Sequence, residues 1–408
     1  MHFTSTSPMS KYKKTEENPY LSFVHECQMV LSENILSFWS RKMVDPLGGF
    51  YGRIDGLGKL HEDSDKAVIL NTRILWTYSA AYQVTGNPKH KLMADRAYEY
   101  VSTQFIDTKH GGVVWMLNRQ GDLVNGKKQT YAQAFAVYAL AEFHKINEYK
   151  RAKDHAIRIF ELMEEHAFDP LHDGYLEALN QDWKPIRDVR LSDKDMNAEK
   201  TMNNHLHVLE AYTNLYRIWP DAKLKEQLIR LINLMCAKLI DDQGHFKLFF
   251  DREWNLLSDE ISFGHDIEGS WLLYEAAEVV GDPELIEGIK PIAIKMIQAA
   301  LEGQDADGGL MNEANPEGIV DEDKHWWPQA EALVGLVNAW QLTGDEQYLD
   351  KMNAVWKFIR TYIMDKDGEW HWKVNKHGDV DYQEDKAGPW KCPYHNGRAM
   401  IELMNRLK

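Results

Sequence analysis

The nonapeptide DPLGGFYGR (45–53) decides how the chain is read: an acidic residue, a glycine turn, then aromatic and large apolar residues. The same punctuation returns as DTKHGGVVW from Asp107, DPLHDGYLEAL from Asp169, DDQGHFKLFF from Asp241, DADGGLMNE from Asp305 and DKDGEWHW from Asp365. Between Gly48, Gly111, Gly174, Gly244, Gly308 and Gly368 the intervals are 63, 63, 70, 64 and 60 residues. A near-constant period marks a repeat architecture. In each copy glycine supplies a tight turn and the residues after it alternate as a short strand, so each reads as a small β-hairpin.

Outward from each hairpin lie two helical stretches. One follows it, at roughly 66–85, 128–146, 197–218, 265–280, 325–343 and 394–407; the other precedes the next, at 89–105, 149–167, 222–240, 283–302 and 346–364, with 20–41 opening the chain. The joints TGNP (85–88), VGDP (280–283) and TGDE (343–346) place a glycine at one helix end and Asn87, Asp282 or Asp345 as a cap for the next. Six helix pairs can form an open solenoid or a closed ring, and an open one needs polar caps at its ends. The first helix, LSFVHECQMVLSENILSFW (21–39), and the last, YHNGRAMIELM (394–404), are too apolar for that. The expected fold is therefore all-α: a closed (α/α)6 barrel of six inner and six outer helices, with short β-hairpins at one mouth. It forms one catalytic domain over 19–408 after a loose tail at 1–18.

Composition narrows the partners. The 408 residues are 44% hydrophobic and 27% charged, with a net charge of −16, and no apolar run approaches membrane-spanning length. That balance repels nucleic acid and anionic membranes. Fourteen Trp and eighteen Tyr suit a neutral polar ligand with stackable faces, such as a sugar. Cys27, Cys236 and Cys392 are odd in number and far apart, which gives no disulfide framework or zinc spacing. With no secretory h-region at the start, the expected location is cytoplasmic and the expected state a monomer.

In such a barrel the starts of the six inner helices gather at one mouth, and four are rich in polar groups. TMNNHLHVLEAYTNLY (201–216) reads as an amphipathic helix: Met202, Leu206, Leu209 and Tyr216 form an apolar stripe, and Asn203, His207, Glu210 and Asn214 a polar one. GHDIEGSW offers His265, Glu268 and Trp271; HWWPQAEAL offers Trp326, Trp327 and Glu331; KCPYHNGRAM, after Trp390, offers His395 and Arg398. The first hairpin adds Arg53. A lone helical histidine is usually structural. Three at equivalent ends of three inner helices predict convergence on one site.

Several chemistries lack their residues. His205 and His207 point in different directions; His265 with Glu268, joined by His395, could hold an ion, but no HExxH or Cys pairing stands behind them. No metal or other cofactor is expected. There is no GxSxG elbow and no phosphate-binding loop. General acid–base chemistry fits best. Two imidazoles on opposite faces of a carbon next to a carbonyl would take a proton from one side and return one to the other, an arginine would stabilise the enediolate, and tryptophans would stack on sugar rings. Three alternatives remain: a monosaccharide aldose–ketose isomerase, a glycoside hydrolase using Glu268 and Glu331, and a non-enzymatic scaffold.

The set FYGRIDG (50–56), MNNHLHVLEAY (202–212), GHDIEGSWLL (264–273), HWWPQAEAL (325–333) and WKCPYHNGR (390–398) resembles the N-acylglucosamine 2-epimerase superfamily and, within it, the cellobiose 2-epimerases. The resemblance runs from about Tyr20 to Leu407. It implies an (α/α)6 barrel and reversible epimerisation at C2 of the reducing-end glucose of β-1,4-disaccharides, without metal or nucleotide. It also implies that His265 and His395 are the acid/base pair, that His207 assists ring opening, and that Arg53 and Asn203 hold the reacting end. Glu268 would orient a catalytic neighbour, and Trp271, Trp326, Trp327 and Trp390 would line sugar subsites. The longest repeat carries NQDWKPIRDVRLSDKDMNAEK (180–200), expected as a loop overhanging the mouth.

Overall fold

The computed structural model describes residues 18–408. The tail expected at 1–18 lies outside these apart from Asn18, whose Nδ2 donates to the Leu407 carbonyl at 2.7 Å. Twelve helical stretches follow in alternation: α1 (21–42), α2 (Val68–Thr85), α3 (88–105), α4 (Thr130–Asn147), α5 (150–167), α6 (Met202–Ile218), α7 (222–239), α8 (Phe263–Val280), α9 (Pro283–Ala300), α10 (Trp326–Thr343), α11 (347–363) and α12 (Tyr394–Arg406). The even-numbered helices pack side by side in sequence order, and α12 packs on α2. The inner ring is closed, as the apolar terminal helices required.

The sequence reads α6 as amphipathic, but it is buried on nearly all sides, Asn204, His205, His207 and Glu210 included. An inner helix has neighbours on both flanks, an outer helix behind it and the barrel axis in front, so no stripe is left for water. Close approach between inner helices shows at Gly335 on α10, where a Cβ would sit 2.5 Å from Ile267 Cγ1 of α8. The helix starts follow the capping logic. Gly86, Gly281 and Gly344 end helices in the left-handed region, and the side chains of Asn87 and Asp282 accept from the first backbone N–H groups of α3 and α9.

All six repeat glycines, Gly48, Gly111, Gly174, Gly244, Gly308 and Gly368, have positive φ, between +73° and +126°, which a side chain would strain. The turns are closed by single bridges such as Val44 to Phe50 and Met364 to Trp370, so each is narrower than a full hairpin. The longer pairings instead join one repeat to the next. Lys66–Ala67 pairs with Met116–Leu117, Lys128–Gln129 with Ala178–Leu179, Lys200–Thr201 with Phe249–Phe250, Ile261–Ser262 with Glu313–Asn315, and Lys324–His325 with Lys373–Val374. The bridge from Ile54 to Ala387 joins the last repeat to the first.

Four of these five linking strands also carry a buried charge ahead of an inner helix. Lys66, Lys128, Lys200 and Lys324 stand two residues ahead of their inner helices with fully buried side chains, and their Nζ atoms lie 2.8, 2.9, 3.1 and 2.7 Å from Asp45, Asp107, Asp169 and Asp305. In the fourth repeat Ile261 takes that place. The repeat aspartates are therefore both turn formers, accepting backbone N–H groups, and counter-ions for the lysines. Removing one partner of a buried pair strands the other without water. Lys128→Met should lower the free energy of unfolding by about 3–5 kcal/mol in urea titrations; a loss under about 1 kcal/mol would show that Asp107 is held by its turn alone.

Candidate active site

Helix geometry sorts the expected residues by depth. Side chains three or four apart share a face and lie about 5 Å apart along the axis. The first turns of α6, α8, α10 and α12 therefore look into the mouth, and the second turns lie beneath it. A chamber of about 290 Å³ opens there, lined by Asn203, His207, His265, Glu268, Trp326, Trp327, Trp390 and His395 from the expected set. Arg73, Tyr131, His325, Trp372 and Glu384 complete the wall, with Leu191, Ser192, Lys194 and Asp195 of the long loop above. A wider cleft of about 800 Å³, at the seam of the first and last repeats, holds none of the expected site residues.

Four expected residues lie outside the chamber wall. Arg53 stays at the rim because its Nε donates to both carboxylate oxygens of Asp385 at 2.9 Å. Trp271, three residues beyond Glu268, is a further turn down α8 and donates from Nε1 to Glu331 at 3.2 Å. It forms part of the floor, not a sugar subsite. Glu331 and Arg398 are likewise one turn below the rim, and both are fully buried. They support the chamber residues from beneath.

The support is a continuous ionic chain. His207 Nδ1 donates to Glu210 at 2.9 Å, and Glu210 accepts from Arg398 and from the Tyr394 hydroxyl. Arg398 Nη2 donates to Glu268 at 2.5 Å and to Glu331 at 2.6 Å, and Glu331 accepts from His395 Nδ1 at 2.7 Å. His265 hydrogen-bonds through Nδ1 to the Ser262 hydroxyl at 2.8 Å. All three imidazoles are thus held at Nδ1, which leaves Nε2 as the atom offered to the chamber. His205, by contrast, is used at both nitrogens, by the Thr201 carbonyl and the Tyr175 amide. It is structural, with neither nitrogen free for the chamber.

Glu268, Glu331 and His395 bring one donor atom each within 4.8 Å of one another, a set able to hold a metal ion. The cation they surround is the Arg398 guanidinium, stacked on the rings of Trp271 and Tyr394 at 4.8 and 4.4 Å. One guanidinium cannot neutralise three carboxylates, so their protonation splits. Burial tends to raise Glu210, but Arg398 and His207 outweigh it and hold it at about 2. Burial, then the Glu331 charge, pushes Glu268 up to about 7. Burial holds His265 down at about 3 and, with Arg73 next in weight, keeps His395 well below the usual imidazole range. Both are neutral near pH 7, able to accept a proton at Nε2. Ser262 can donate to or accept from His265, so that imidazole can carry its proton on either nitrogen.

The walls are aromatic. Trp327 lies 4.7 Å from the His265 ring and 5.6 Å from His395, and Trp326 packs edge-on to Trp372 at 5.0 Å. Trp372 was readable in advance: in DKDGEWHW it stands two residues after Trp370, so the two tryptophans share one face of an extended segment. Glu210 sits in the polar stripe of α6, three residues after His207, and its role needed only the question of what holds the imidazole.

Residues 49–399 match the N-acylglucosamine 2-epimerase (GlcNAc 2-epimerase) family. The chain is 49% identical over 383 residues to the cellobiose 2-epimerase of Bacteroides fragilis, covering 93% of this chain and 98% of that one. Against the cellobiose 2-epimerase of Ruminococcus albus it is 39% identical over 387 residues, covering 94% and 98%. The solved cellobiose 2-epimerase from Bacillus thermoamylovorans superposes with a TM-score of 0.89 at 37% identity, covering 94% of this chain and 99% of that one.

A carboxyl raised on folding adds stability that is complete below its unfolded value and is lost as pH climbs through its folded value. For Glu268 that window runs from 4.5 to about 7. Glu268→Gln should therefore lose less stability than the parent protein between pH 4.5 and 7, read from urea unfolding at stepped pH. Parallel curves would mean that Glu268 is ionised throughout.

Proposed function

The chain belongs to the N-acylglucosamine 2-epimerase family, and from that premise we propose that it interconverts cellobiose and glucosyl-mannose by inverting C2 of the reducing-end glucose. Lactose is turned over to epilactose in the same way. The observation that carries this reading is the chamber itself: His207, His265 and His395 line one aromatic-walled space, His207 and His395 held at Nδ1 by carboxylates and His265 by Ser262 at the start of its own helix. A hydrolase would need two carboxylates flanking a bond. Of its candidates, Glu331 lies beneath the floor, bound to Arg398, His395 and Trp271.

The steps follow from these groups. His207, backed by Glu210, assists opening of the sugar ring, which exposes the C1 carbonyl and acidifies the C2 proton. One of His265 and His395 removes that proton to give a cis-enediolate. Rotation about C2–C3 presents the other face; the first histidine gives its proton up to solvent, and the second, protonated from solvent, delivers one to C2 there. Asn203 holds the reacting end, and Trp326, Trp327 and Trp390 line the sugar subsites. The loop at 180–200, pinned where its Arg190 carbonyl accepts from Lys127 and Gln129 at 2.8 and 2.7 Å, closes over the mouth as a lid. The enzyme works as a monomer, since all these groups come from one chain, and in the cytoplasm, consistent with three unpaired cysteines.

Proton NMR of lactose in heavy water should show deuterium entering at C2 of the glucose unit as epilactose accumulates, and the turnover should survive chelation by EDTA. Deuterium at C1 with ketose as the main product would make the enzyme an isomerase, and turnover of mannose without cellobiose would move it to monosaccharides. His395→Ala should remove C2 exchange while the circular dichroism stays unchanged; normal exchange would exclude His395 as an acid/base group.

A further inference from the structure

Two inner helices open on a hydroxyl, and the two hydroxyls are used differently. Thr201, ahead of α6, caps it by accepting from the Asn204 amide at 3.1 Å, and donates its own proton to Glu177 at 2.8 Å. Ser262 holds the same place ahead of α8 and makes no cap bond. Its hydroxyl meets His265 Nδ1 at 2.8 Å and, among the described residues, no other partner. The serine is only 4% exposed, so its proton depends on that one contact.

Of His207, His265 and His395, His265 is the one with no carboxylate at Nδ1. Glu210 and Glu331 accept from the other two, which therefore rest with the proton on Nδ1 and a lone pair on Nε2. A hydroxyl allows both arrangements. If Nδ1–H donated to Ser262, the serine proton would be left without an acceptor, and an unmade bond at a buried donor is the costlier state. If Ser262 donates to Nδ1, its proton is used, and the imidazole proton lies on Nε2, where water or a sugar oxygen in the chamber can accept it.

We propose that Ser262 is a positioning residue that sets the tautomer of His265: at rest it donates to Nδ1 and leaves the proton on Nε2, the reverse of His395. The two imidazoles placed around C2 then start as one N–H donor and one base. This rests on the epimerase reading and names the group that makes its two histidines unequal. As the acid, His265 carries both protons; giving the Nε2 proton to C2 leaves neutral Nδ1–H, with the serine hydroxyl turned to accept from it. As the base, His265 starts from that same form, takes the C2 proton at Nε2 and becomes the imidazolium. Losing the Nδ1 proton to water then restores the resting tautomer, with Ser262 donating again.

Long-range 15N–1H NMR of the full chain, labelled at histidine, reads the tautomers directly, with His265→Gln and His395→Gln identifying the signals. His265 should be protonated at Nε2 and His395 at Nδ1. In Ser262→Ala the preference at His265 should disappear, and kcat should fall about 10²-fold in both directions with KM within about threefold. Deuterium entry at C2 of unreacted substrate should then divide the epimers. For whichever of cellobiose and glucosyl-mannose presents its C2 proton to His395, entry should stay within about threefold of the parent, and for the other it should fall with kcat. Ser262→Thr, which keeps a hydroxyl in place, should restore both the tautomer and most of the rate. His265 protonated at Nδ1 in the parent overturns the proposal, even if no variant folds, and so does an equal fall in deuterium entry for both epimers. A parent enzyme with the expected tautomers that leaves cellobiose and glucosyl-mannose unchanged would instead overturn the function, with the tautomer assignment intact.

Discussion

Arg398 is the point at which the barrel is tied. It leaves α12 and meets Glu210 of α6, Glu268 of α8 and Glu331 of α10, so one guanidinium holds four of the six inner helices. Buried, planar and permanently charged, it fixes these helices in azimuth as well as in spacing, because its fork accepts carboxylates only in its own plane. The outer helices, the strand links and the lysine–aspartate pairs close the ring around this centre. Its floor is Trp271, on which the guanidinium stacks.

The same tie sets the chemistry above it. Glu210 meets Arg398 with one carboxylate oxygen and His207 with the other, and Glu331 uses a single oxygen for both Arg398 and His395, so the helices that make the barrel also fix the tautomers of His207 and His395. Folding and the placement of the chamber's imidazoles are therefore not separable here. A substitution in the ionic layer changes both, whereas one in the tryptophan wall changes only what the chamber holds.

Much of this was legible in the chain. The glycine period located all six turns, and every one of those glycines has the positive φ that made it necessary. The helix pairs followed, although α6 begins at Met202 and not near 197, because Lys200–Thr201 is taken by a strand link. His207, His265 and His395 converge as equivalent helix starts should. Depth was harder to read. Trp271, Glu331 and Arg398 carry the residue types of a binding site and lie a turn or more below it, and local spacing gives the face of a helix without saying where the chamber ends. Arg53 was placed by Asp385, a partner 332 residues away. Arg73 sits in NTRILWTY (71–78), a segment with no pattern to mark it, yet its side chain lines the chamber.

The split between a rigid floor and a looser rim bears on how such a protein changes over generations. His207 and His395, braced from below, keep their orientation when the overhanging loops are rewritten, so the rim can drift while the layer beneath it is inherited intact. Novelty in this scaffold would then accumulate in the segments between the helices, and the residues least free to vary would be those no substrate ever touches.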